Sequence, residues 1–502
     1  MSSKRVLKTS KSLRLLSLGV AVLLMAACLT AYFMLRDNAA ATVAPPGGDG
    51  SEQTNGGADA GGGNLGAGFD LSKPFAPRWA RNKAGANGVA WEINFGGGGE
   101  DEIGQVLEID GDFYIFGATK STDGDFKGRD SGSLFAAILS AAGQLKAVSV
   151  FGDQRGSTFK TARYNPYNDD FYVLGGFPLT AGFCVYELNA RLETVKSFAY
   201  MSGTQDAPED LIVSSSAINV FYSRTNQYTN TVNIGMAGLP HDLSRTLTDA
   251  VTGVGSFRFV RAFPRGGSFA VLINCNTAGE RYPAIVTFDK ATTPVLSALK
   301  QTASADLYAA DMTPAGADYL IFLCDRGQGY AASVLRASPG SGGKFVYARE
   351  FLLNAAPCTD GRFFYRNETS RYAVSYKAGL PQASLIADGS NGLIEVKFSA
   401  LTGAGTVVDH TVRESGAAAT AVFLSDNHET ALSANPNILV TALTASNERV
   451  SQRAFGGNGE DRAVRIFEGD GGHIVFANTR SKGGDIGDNF GGTDAWVLRI
   501  TP

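Results

Sequence analysis

The amino-acid sequence predicts an all-β fold, and three observations lead to that prediction. The 502 residues include 61 glycines, about 12% of the chain against an average usage near 7%. Hydrophobic residues make up 44% and charged residues 18%, which excludes a wholly disordered chain because such chains are poor in apolar residues. Short β-branched and aromatic runs alternate with glycine turns, and no amphipathic helix is evident after residue 80.

The first element is an apolar run from Leu15 to Leu35, 21 residues without a charged side chain. As an α-helix it would be about 31 Å long, which matches the hydrocarbon thickness of a bilayer. Residues 1–14 carry five basic side chains, so the positive-inside rule places them in the cytoplasm. We therefore expect a single-pass signal anchor in the cell membrane, with everything after residue 36 on the outer side.

Two other interpretations of this N-terminal segment stay open. Residues 25–28 (MAAC) resemble a bacterial lipobox, in which Cys28 would be lipidated, and a secretory signal peptide could be cleaved near residues 39–41. Under all three interpretations, the same part of the chain, which follows the N-terminal segment, is exported. Residues 36–80 are rich in glycine and small polar residues and predict a flexible linker of low sequence complexity.

The exported body contains an internal repeat. Residues 95–142 and residues 455–502 align without a gap at an offset of 360, with 15 identities in 48 positions. The shared residues include FGGxGED, DG, TxS and GD. Chance does not produce such an alignment, so we predict a repeat architecture.

Between the two copies, a pattern of four short strands recurs about every 51 residues, which is a period typical of β-propeller blades. The last strand of each unit is predicted at residues 146–151, 194–200, 245–251, 294–301, 345–351, 406–412 and 449–455. The chain ends one strand short of a further unit, and Val89–Phe95 offers a strand followed by the same FGG sequence. We therefore expect residues 89–502 to form a β-propeller of eight four-stranded blades, closed by its N-terminal strand, with seven blades as the alternative.

The last repeat also carries a family resemblance. The stretches FGGNGED, DGGHIVFANT and GGTDAWVLRI within residues 455–500 resemble the bacterial secreted and surface β-propeller repeat proteins, whose repeats read GGSGxD…DGGY…GGxDAW. The first repeat matches in its front half, and the central units match in strand pattern alone. The resemblance implies an exported propeller and supplies no catalytic residues.

The charge of the exported body restricts its partners. After residue 37 the chain holds 38 basic and 47 acidic residues, a net charge of −9. A surface of that sign repels phosphate backbones, so we expect no nucleic acid as a partner. The sequence contains no P-loop, HExxH or GxSxG motif, and we expect neither a cofactor nor an enzyme of those classes.

Two acidic pairs are the most specific polar features. Glu100-Asp101 and Glu460-Asp461 occupy the same place in the two repeats, where one blade leads into the next. Such pairs could bind calcium or act as acid and base. The structural interpretation is that they accept hydrogen bonds from the preceding glycine turn, and a repeated position favours it.

Four further aspartates resemble fragments of a calcium loop: Asp123, Asp125, Asp485 and Asp488. A complete loop needs more oxygen ligands and a bidentate glutamate, so turn formation is the preferred explanation and calcium the alternative.

Cysteine and histidine are scarce. The four cysteines after Cys28 are interpreted as buried thiols, with a disulfide between Cys324 and Cys358 as the alternative, since both are expected on one face of adjacent blades. The four histidines show no metal-ligand spacing. Asp409-His410 is predicted to lie in an outer strand.

These observations lead to one functional hypothesis and two alternatives. A closed, membrane-anchored ring without a catalytic motif predicts a scaffold that binds a protein or a glycan on one face. The first alternative is a carbohydrate-active hydrolase or lyase that uses the two acidic pairs at the propeller channel. The second is a structural component of a cell-envelope assembly.

Overall fold

The computed structural model describes residues 88–501 with internal gaps. The segments left out are 127–132, 153–156, 178–181, 202–204, 227, 229–230, 245–247, 253–255, 278–279, 290–293, 300–305, 326–330, 355–357, 367–370, 379, 390–391, 399–404, 416–417, 428–436, 445, 447 and 487–488. For most residues of 347–406 the backbone alone is described. The predicted anchor Leu15–Leu35, the basic residues 1–14 and the linker 36–80 lie outside this part of the chain, in which no helix is long and apolar enough to span a membrane.

Thirty-two strands in the described residues form eight four-stranded antiparallel sheets. Strand β1 is Val89–Phe95. Sheet 1 holds β2 (Asp101–Ile109), β3 (Asp112–Thr119), β4 (Leu134–Ser140) and β5 (Leu145–Phe151). Sheet 2 holds β6 (Thr158–Asn165), β7 (Asp170–Gly176), β8 (Phe183–Leu188) and β9 (Thr194–Tyr200). Sheet 3 holds β10 (Gln205–Val213), β11 (Ile218–Thr225), β12 (Val232–Leu239) and β13 (Thr248–Thr252). Sheet 4 holds β14 (Ser256–Arg265), β15 (Ser268–Thr277), β16 (Glu280–Asp289) and β17 (Val295–Ala298).

The remaining sheets follow the same order. Sheet 5 holds β18 (Leu307–Ala315), β19 (Asp318–Asp325), β20 (Ala331–Pro339) and β21 (Phe345–Asn354). Sheet 6 holds β22 (Cys358–Arg366), β23 (Arg371–Ala378), β24 (Leu380–Gly389) and β25 (Gly392–Phe398). Sheet 7 holds β26 (Gly405–Ser415), β27 (Ala418–Asn427), β28 (Asn437–Thr444) and β29 (Arg449–Phe455). Sheet 8 holds β30 (Asp461–Gly469), β31 (Gly472–Thr479) and β32 (Asp494–Ile500), with β1 as its fourth strand. Two 3₁₀ helices, Gly124–Phe126 and Ser341–Gly343, lie in connections.

Sheet 8 joins the two ends of the described chain. Strand β1 pairs antiparallel with β32, with Phe95 opposite Ala495 and Val89 opposite Ile500. The N-terminal strand therefore completes the sheet of the last three strands, as the sequence predicts. This pairing covers the edge of β32, which would otherwise present unpaired backbone groups to other chains.

The sheets succeed one another as in a β-propeller. The first strand of each sheet contacts the preceding sheet in chain order, and β2 of sheet 1 contacts β30 of sheet 8. The repeat offset of 360 residues superimposes the strand bounds of β2, β3 and β4 on those of β30, β31 and β32. The two most similar repeats are therefore neighbours across the ring closure.

Aromatic side chains fill the space between neighbouring sheets. The ring of Phe113 in sheet 1 lies 5.1 Å from that of Phe467 and 5.2 Å from that of Phe476, both in sheet 8. On the other side, Tyr114 lies 4.5 Å from Phe171 of sheet 2. Such pairs add about 0.5–1.5 kcal/mol each to the stabilisation from burial, so the aromatic positions join the sheets.

The structure corrects one predicted strand. Residues 406–412, predicted as the last strand of a unit, belong to β26, the first strand of sheet 7, and the last strand of sheet 6 is β25. The error has a physical origin, because the first and last strands of a sheet share the same alternation of side chains and differ only in their neighbours. Asp409 and His410 were predicted to lie in an outer strand, and this prediction is wrong because both lie in a first strand. Both side chains are buried.

The first strand of every sheet contains a register shift at the same place. The shifts lie between residues 103 and 105, 159 and 161, 208 and 210, 259 and 261, 309 and 311, 358 and 360, 407 and 409, and 463 and 465. A β-bulge of this kind adds one residue, bends the strand and re-aims the side chains that follow. The eight bulges therefore decide which side chains face the inside of the ring.

Candidate functional site

The carboxylate of Asp101 accepts hydrogen bonds from the glycine loop that precedes it and from the TxS segment at the end of β3. Its Oδ2 accepts hydrogen bonds from the Gly97 N–H (2.7 Å) and the Ser121 hydroxyl (2.7 Å), and Oδ1 accepts one from the Thr119 hydroxyl (2.5 Å). The side chain is fully buried. Burial raises the pKa of Asp101, and these hydrogen bonds oppose the rise. Asp101 thus joins its glycine loop to the TxS segment of the same sheet.

Asp461 repeats this arrangement in sheet 8. It accepts hydrogen bonds from the Gly457 N–H (3.0 Å), the Thr479 hydroxyl (2.5 Å) and the Ser481 hydroxyl (2.9 Å). Burial likewise raises the pKa of Asp461. The shared FGGxGED and TxS residues of the two repeats are therefore the two halves of one hydrogen-bonded loop structure.

Three of the four calcium-loop candidates bind the same glycine loops. Asp123 accepts a hydrogen bond from the Gly98 N–H (2.6 Å), Asp125 from the Gly96 N–H (3.1 Å) and Asp485 from the Gly456 N–H (3.2 Å). Asp488 lies outside the described residues. In the described part of the chain, no group of three or more His, Cys, Asp or Glu side chains could hold a metal ion.

Glu100 connects the two repeats. Its carboxylate lies 2.6 Å from the Arg480 guanidinium and accepts a hydrogen bond from the Thr493 hydroxyl (3.1 Å), both in the part of the chain that forms sheet 8. The bond from Arg480 holds the pKa of Glu100 below its usual value. Glu460 pairs with Arg462 at 2.5 Å. Both glutamates are engaged at the loop surface.

Asp494 is a buried acid at the ring closure. Its Oδ2 accepts a hydrogen bond from the Phe490 N–H (2.8 Å), whereas Oδ1 has no hydrogen-bond partner in the described structure. A Cβ atom at Gly96 would clash with this Oδ1 and would lie 3.0 Å from the Asp101 carboxylate, so the carboxyl groups crowd around a glycine. Burial, with a contribution from the charges of Asp101 and Asp125, raises the pKa of Asp494 to about 7.

A cavity of about 770 Å³ lies between the first strands of sheets 1, 2, 3, 4 and 8, and we call it the central cavity. Its wall includes bulge residues of these strands, which are Gly104, Lys160, Glu209, Val260 and Val464. None of the four residues of the predicted acidic pairs lines it. The glycine loops hold Asp101 and Asp461 at the beginnings of the first strands, and a catalytic role of the two acidic pairs at the channel stays a prediction.

Ion pairs between sheets stand around the central cavity. Each has an arginine on the wall and a buried aspartate just after a bulge: Arg163–Asp210 (2.7 Å), Arg261–Asp311 (3.3 Å) and Arg465–Asp409 (3.2 Å). The arginine side chains are 36–46% exposed and the aspartates 3–9%. Lys160 pairs with Glu209 at 3.0 Å across sheets 2 and 3. The wall thus presents guanidinium groups, and the counter-charges of Arg261 and Arg465, which are Asp311 and Asp409, lie buried behind it.

A periodic signal in the sequence marks these residues. Asp210, Arg261, Asp311, Asp360 and Asp409 follow one another at intervals of about 50 residues, one in each successive unit. Each follows the bulge of a first strand. A search for charged residues at the repeat period, instead of for motifs, would have found them.

The remaining candidates lie elsewhere. His241 is 3.5 Å from the Asn165 amide, and His473 lines a separate cavity between sheets 7 and 8. Cys184, Cys275 and Cys324 are buried thiols. The side chain of Cys358 lies outside the described residues, so the Cys324–Cys358 disulfide stays a prediction that a thiol count on the purified protein would decide.

No protein-family model matches the chain, and no curated protein matches it in sequence. Among solved structures, the WD40 domain of SCAP from fission yeast is 9% identical with a TM-score of 0.42, over 81% of this chain and 96% of that domain. A post-proline cleaving enzyme from Rickettsia typhi is 10% identical with a TM-score of 0.42, over 76% of this chain and 58% of the enzyme. An acylaminoacyl peptidase from Pyrococcus horikoshii is 9% identical with a TM-score of 0.41, over 76% and 59%. The chain therefore spans less than two thirds of either peptidase, and similarity of this degree says nothing about its activity.

Proposed function

We propose that the protein is a membrane-anchored, extracytoplasmic β-propeller whose eight sheets are the blades of one ring, and that it binds a glycan in the central cavity. A cavity of about 770 Å³ falls in the range of small-ligand sites and suits a few sugar units. A flat protein partner would contact the rim and leave this space unfilled.

The observation that carries the proposal is the mixed chemistry of the cavity wall. Ion-paired side chains and the amide of Gln105 supply fixed hydrogen-bonding groups, and Tyr164, Phe259 and Phe263 supply aromatic surface. Sugar rings present hydroxyl groups at their edges and C–H groups on their faces, so this combination fits them. Aromatic side chains with a polar neighbour bind ligands that have one apolar and one polar side.

Membrane anchorage rests on the segment Leu15–Leu35. Its length suits a bilayer, and the basic residues 1–14 favour a cytoplasmic N-terminus. Residues 36–80 would then link the anchor to the ring, which meets envelope or extracellular glycans.

A glycan array with the full-length protein in detergent micelles tests the proposal. We expect binding to a defined set of glycans, and loss of that binding in Val464→Trp, which places a large side chain in the central cavity. Val346→Trp is the matched control, because Val346 is 54% exposed on β21 and does not line the cavity. Absence of any bound glycan, or equal binding by Val464→Trp, would refute a glycan site in the cavity.

A further inference from the structure

We infer that the glycan held in the central cavity is acidic, and that Arg261 and Arg465 bind its carboxylate groups; this inference rests on the proposed function. Six charged side chains line the cavity: Lys160, Arg163, Arg261 and Arg465, with Glu209 and Asp210. Four basic against two acidic side chains give the lining itself a net charge of +2, and Asp311 and Asp409 lie buried beside Arg261 and Arg465. The chain after residue 37 carries −9, so this positive surface is a local feature and not a consequence of composition.

Arg261 and Arg465 each have hydrogen-bonding capacity to spare. Arg261 contacts Asp311 through Nη1 at 3.3 Å, and Arg465 contacts Asp409 through Nε at 3.2 Å. Neither guanidinium makes another hydrogen bond to the described residues, and a guanidinium carries five N–H donors in a planar fork. The donors left over suit a carboxylate, which such a fork binds through two parallel bonds.

Arg163 is engaged differently. Besides its contact with Asp210 at 2.7 Å, its Nη1 donates to the Thr161 hydroxyl (2.8 Å) and to the Ala162 carbonyl (3.1 Å). Arg163 is therefore mostly occupied by its own strand and by Asp210 of sheet 3. The two arginines with spare donors are the ones that we assign to the ligand.

The positions of Arg261 and Arg465 set the size of the ligand. Arg261 lies in sheet 4 and Arg465 in sheet 8, and sheets 1 to 3 separate them along the wall of the cavity. The arrangement therefore fits an oligosaccharide with at least two acidic units better than a single acidic sugar.

The buried aspartates keep the arginines in place when no ligand is bound. Asp311 also accepts a hydrogen bond from the Phe363 N–H (2.7 Å), and Asp409 accepts one from the Ile466 N–H (2.9 Å). Each carboxylate is thus fixed by the backbone of the following sheet. A guanidinium held by such a group is preorganised, which reduces the entropy lost on binding.

The test is calorimetric titration of the full-length protein with a hexamer of galacturonic acid and with the same hexamer after reduction of its carboxyl groups. We expect the acidic hexamer to bind at least about tenfold more tightly, which corresponds to one good charge-assisted interaction. Arg261→Lys and Arg465→Lys keep a positive charge beside the buried aspartate but lack the fork. Each should weaken binding of the acidic hexamer about tenfold and leave the neutral hexamer unchanged.

Arg336→Lys is the matched control, because Arg336 pairs with Asp318 at 3.2 Å in sheet 5 and does not line the cavity. Thermal unfolding of each variant verifies that it is folded. Equal affinity for both hexamers, or no effect of either cavity variant, overturns the acidic specificity and leaves the glycan proposal standing. Binding of neither hexamer, or equally tight binding of a hexaglutamate peptide, counts against both.

Discussion

Single carboxylates perform two different tasks in this protein. Asp101 and Asp461 stabilise glycine loops, since each accepts hydrogen bonds from one backbone N–H and two hydroxyl groups. Asp311 and Asp409 hold arginines at the wall of the central cavity. All four are buried, so burial of a carboxylate does not by itself distinguish a loop residue from a cavity residue. The position of the groups that bind the carboxylate, in a glycine loop or at the cavity wall, distinguishes the two kinds of residue.

Replacement of Asp101 by alanine should destabilise the fold by about 3 kcal/mol, because three buried donors lose their acceptor at once. Chemical denaturation monitored by tryptophan fluorescence would measure it. Glu102→Ala is the control, since Glu102 is exposed on the same strand and its loss should change stability by less than about 0.5 kcal/mol. Similar effects of the two substitutions would contradict the loop role.

Asp494 should make stability depend on pH. Its pKa is about 7 in the folded protein against an ordinary 3.8, so the folded state binds the proton more tightly than the unfolded state. This contribution is fully present below the ordinary value and is lost as the pH rises towards 7. It amounts to at most about 4 kcal/mol.

Asp494→Asn removes this titration, so its stability should fall less than that of the unmodified protein between about pH 5 and pH 8. Denaturation curves at several pH values measure the difference, which isolates Asp494 from other groups such as Asp101. Asp470→Asn, at an exposed position of the same sheet, is the control. Parallel stability curves for Asp494→Asn and the unmodified protein would contradict the assignment.

At the scale of elements, glycines shape the turns that connect the strands. Gly124 has a φ of 60° in the 3₁₀ helix of sheet 1, and its Cα faces the backbone of Gly96 and Gly97. Gly111 has a φ of 79° in the β2–β3 hairpin and has open space around it. Both need the left-handed conformation, but only Gly124 also needs to lack a side chain.

Gly124→Ala should therefore destabilise the protein by about 3 kcal/mol, and Gly111→Ala by about 1 kcal/mol. The second value reflects left-handed backbone strain alone, and the first adds a clash with the Gly96 carbonyl. Thermal unfolding of the two variants side by side measures the difference. Equal losses would mean that the loop yields to the added methyl group.

The inner strands show why the candidate site escaped prediction while the loops did not. The loop residues lie within about 30 positions of their partners and recur in both repeats, so one alignment exposes them. The cavity pairs join strands of different sheets, and a bulge in each first strand shifts the alternation by one residue. If one assumes that side chains strictly alternate between the two faces of a strand, the residues after the bulge are therefore assigned to the wrong face of the sheet.

At the scale of the whole molecule, closure depends on strand β1. It is the only strand of sheet 8 in the described residues that is distant in sequence from the other three, and it pairs with β32 along its length. Its Phe95 is fully buried and lies 6.0 Å from Phe135 of sheet 1. The loss of β1 would expose both the edge of β32 and this aromatic contact.

A chain that begins at residue 81 should unfold at nearly the same temperature as the full chain, whereas one that begins at residue 97 should lose cooperative unfolding or aggregate. Because Val89 is paired with Ile500, the missing strand lies one hairpin turn beyond the C-terminus. Residues 88–96 appended after Pro502 through a short turn should therefore restore folding. A folded chain from residue 97 alone would show that closure needs no β1.

The sequence by itself determined the repeat, its period, the closing strand and the loop residues, because each is recorded in short segments whose physical requirements are local. Glycine turns, alternating strands and their hydrogen-bonding partners lie close together in the chain. Only the tertiary structure decided that Thr406–Val412 lies inside the ring and that Arg261 and Arg465 face one cavity. The reason is that a first strand and a last strand have the same local pattern, and only the neighbouring sheets make one of them the wall of a cavity.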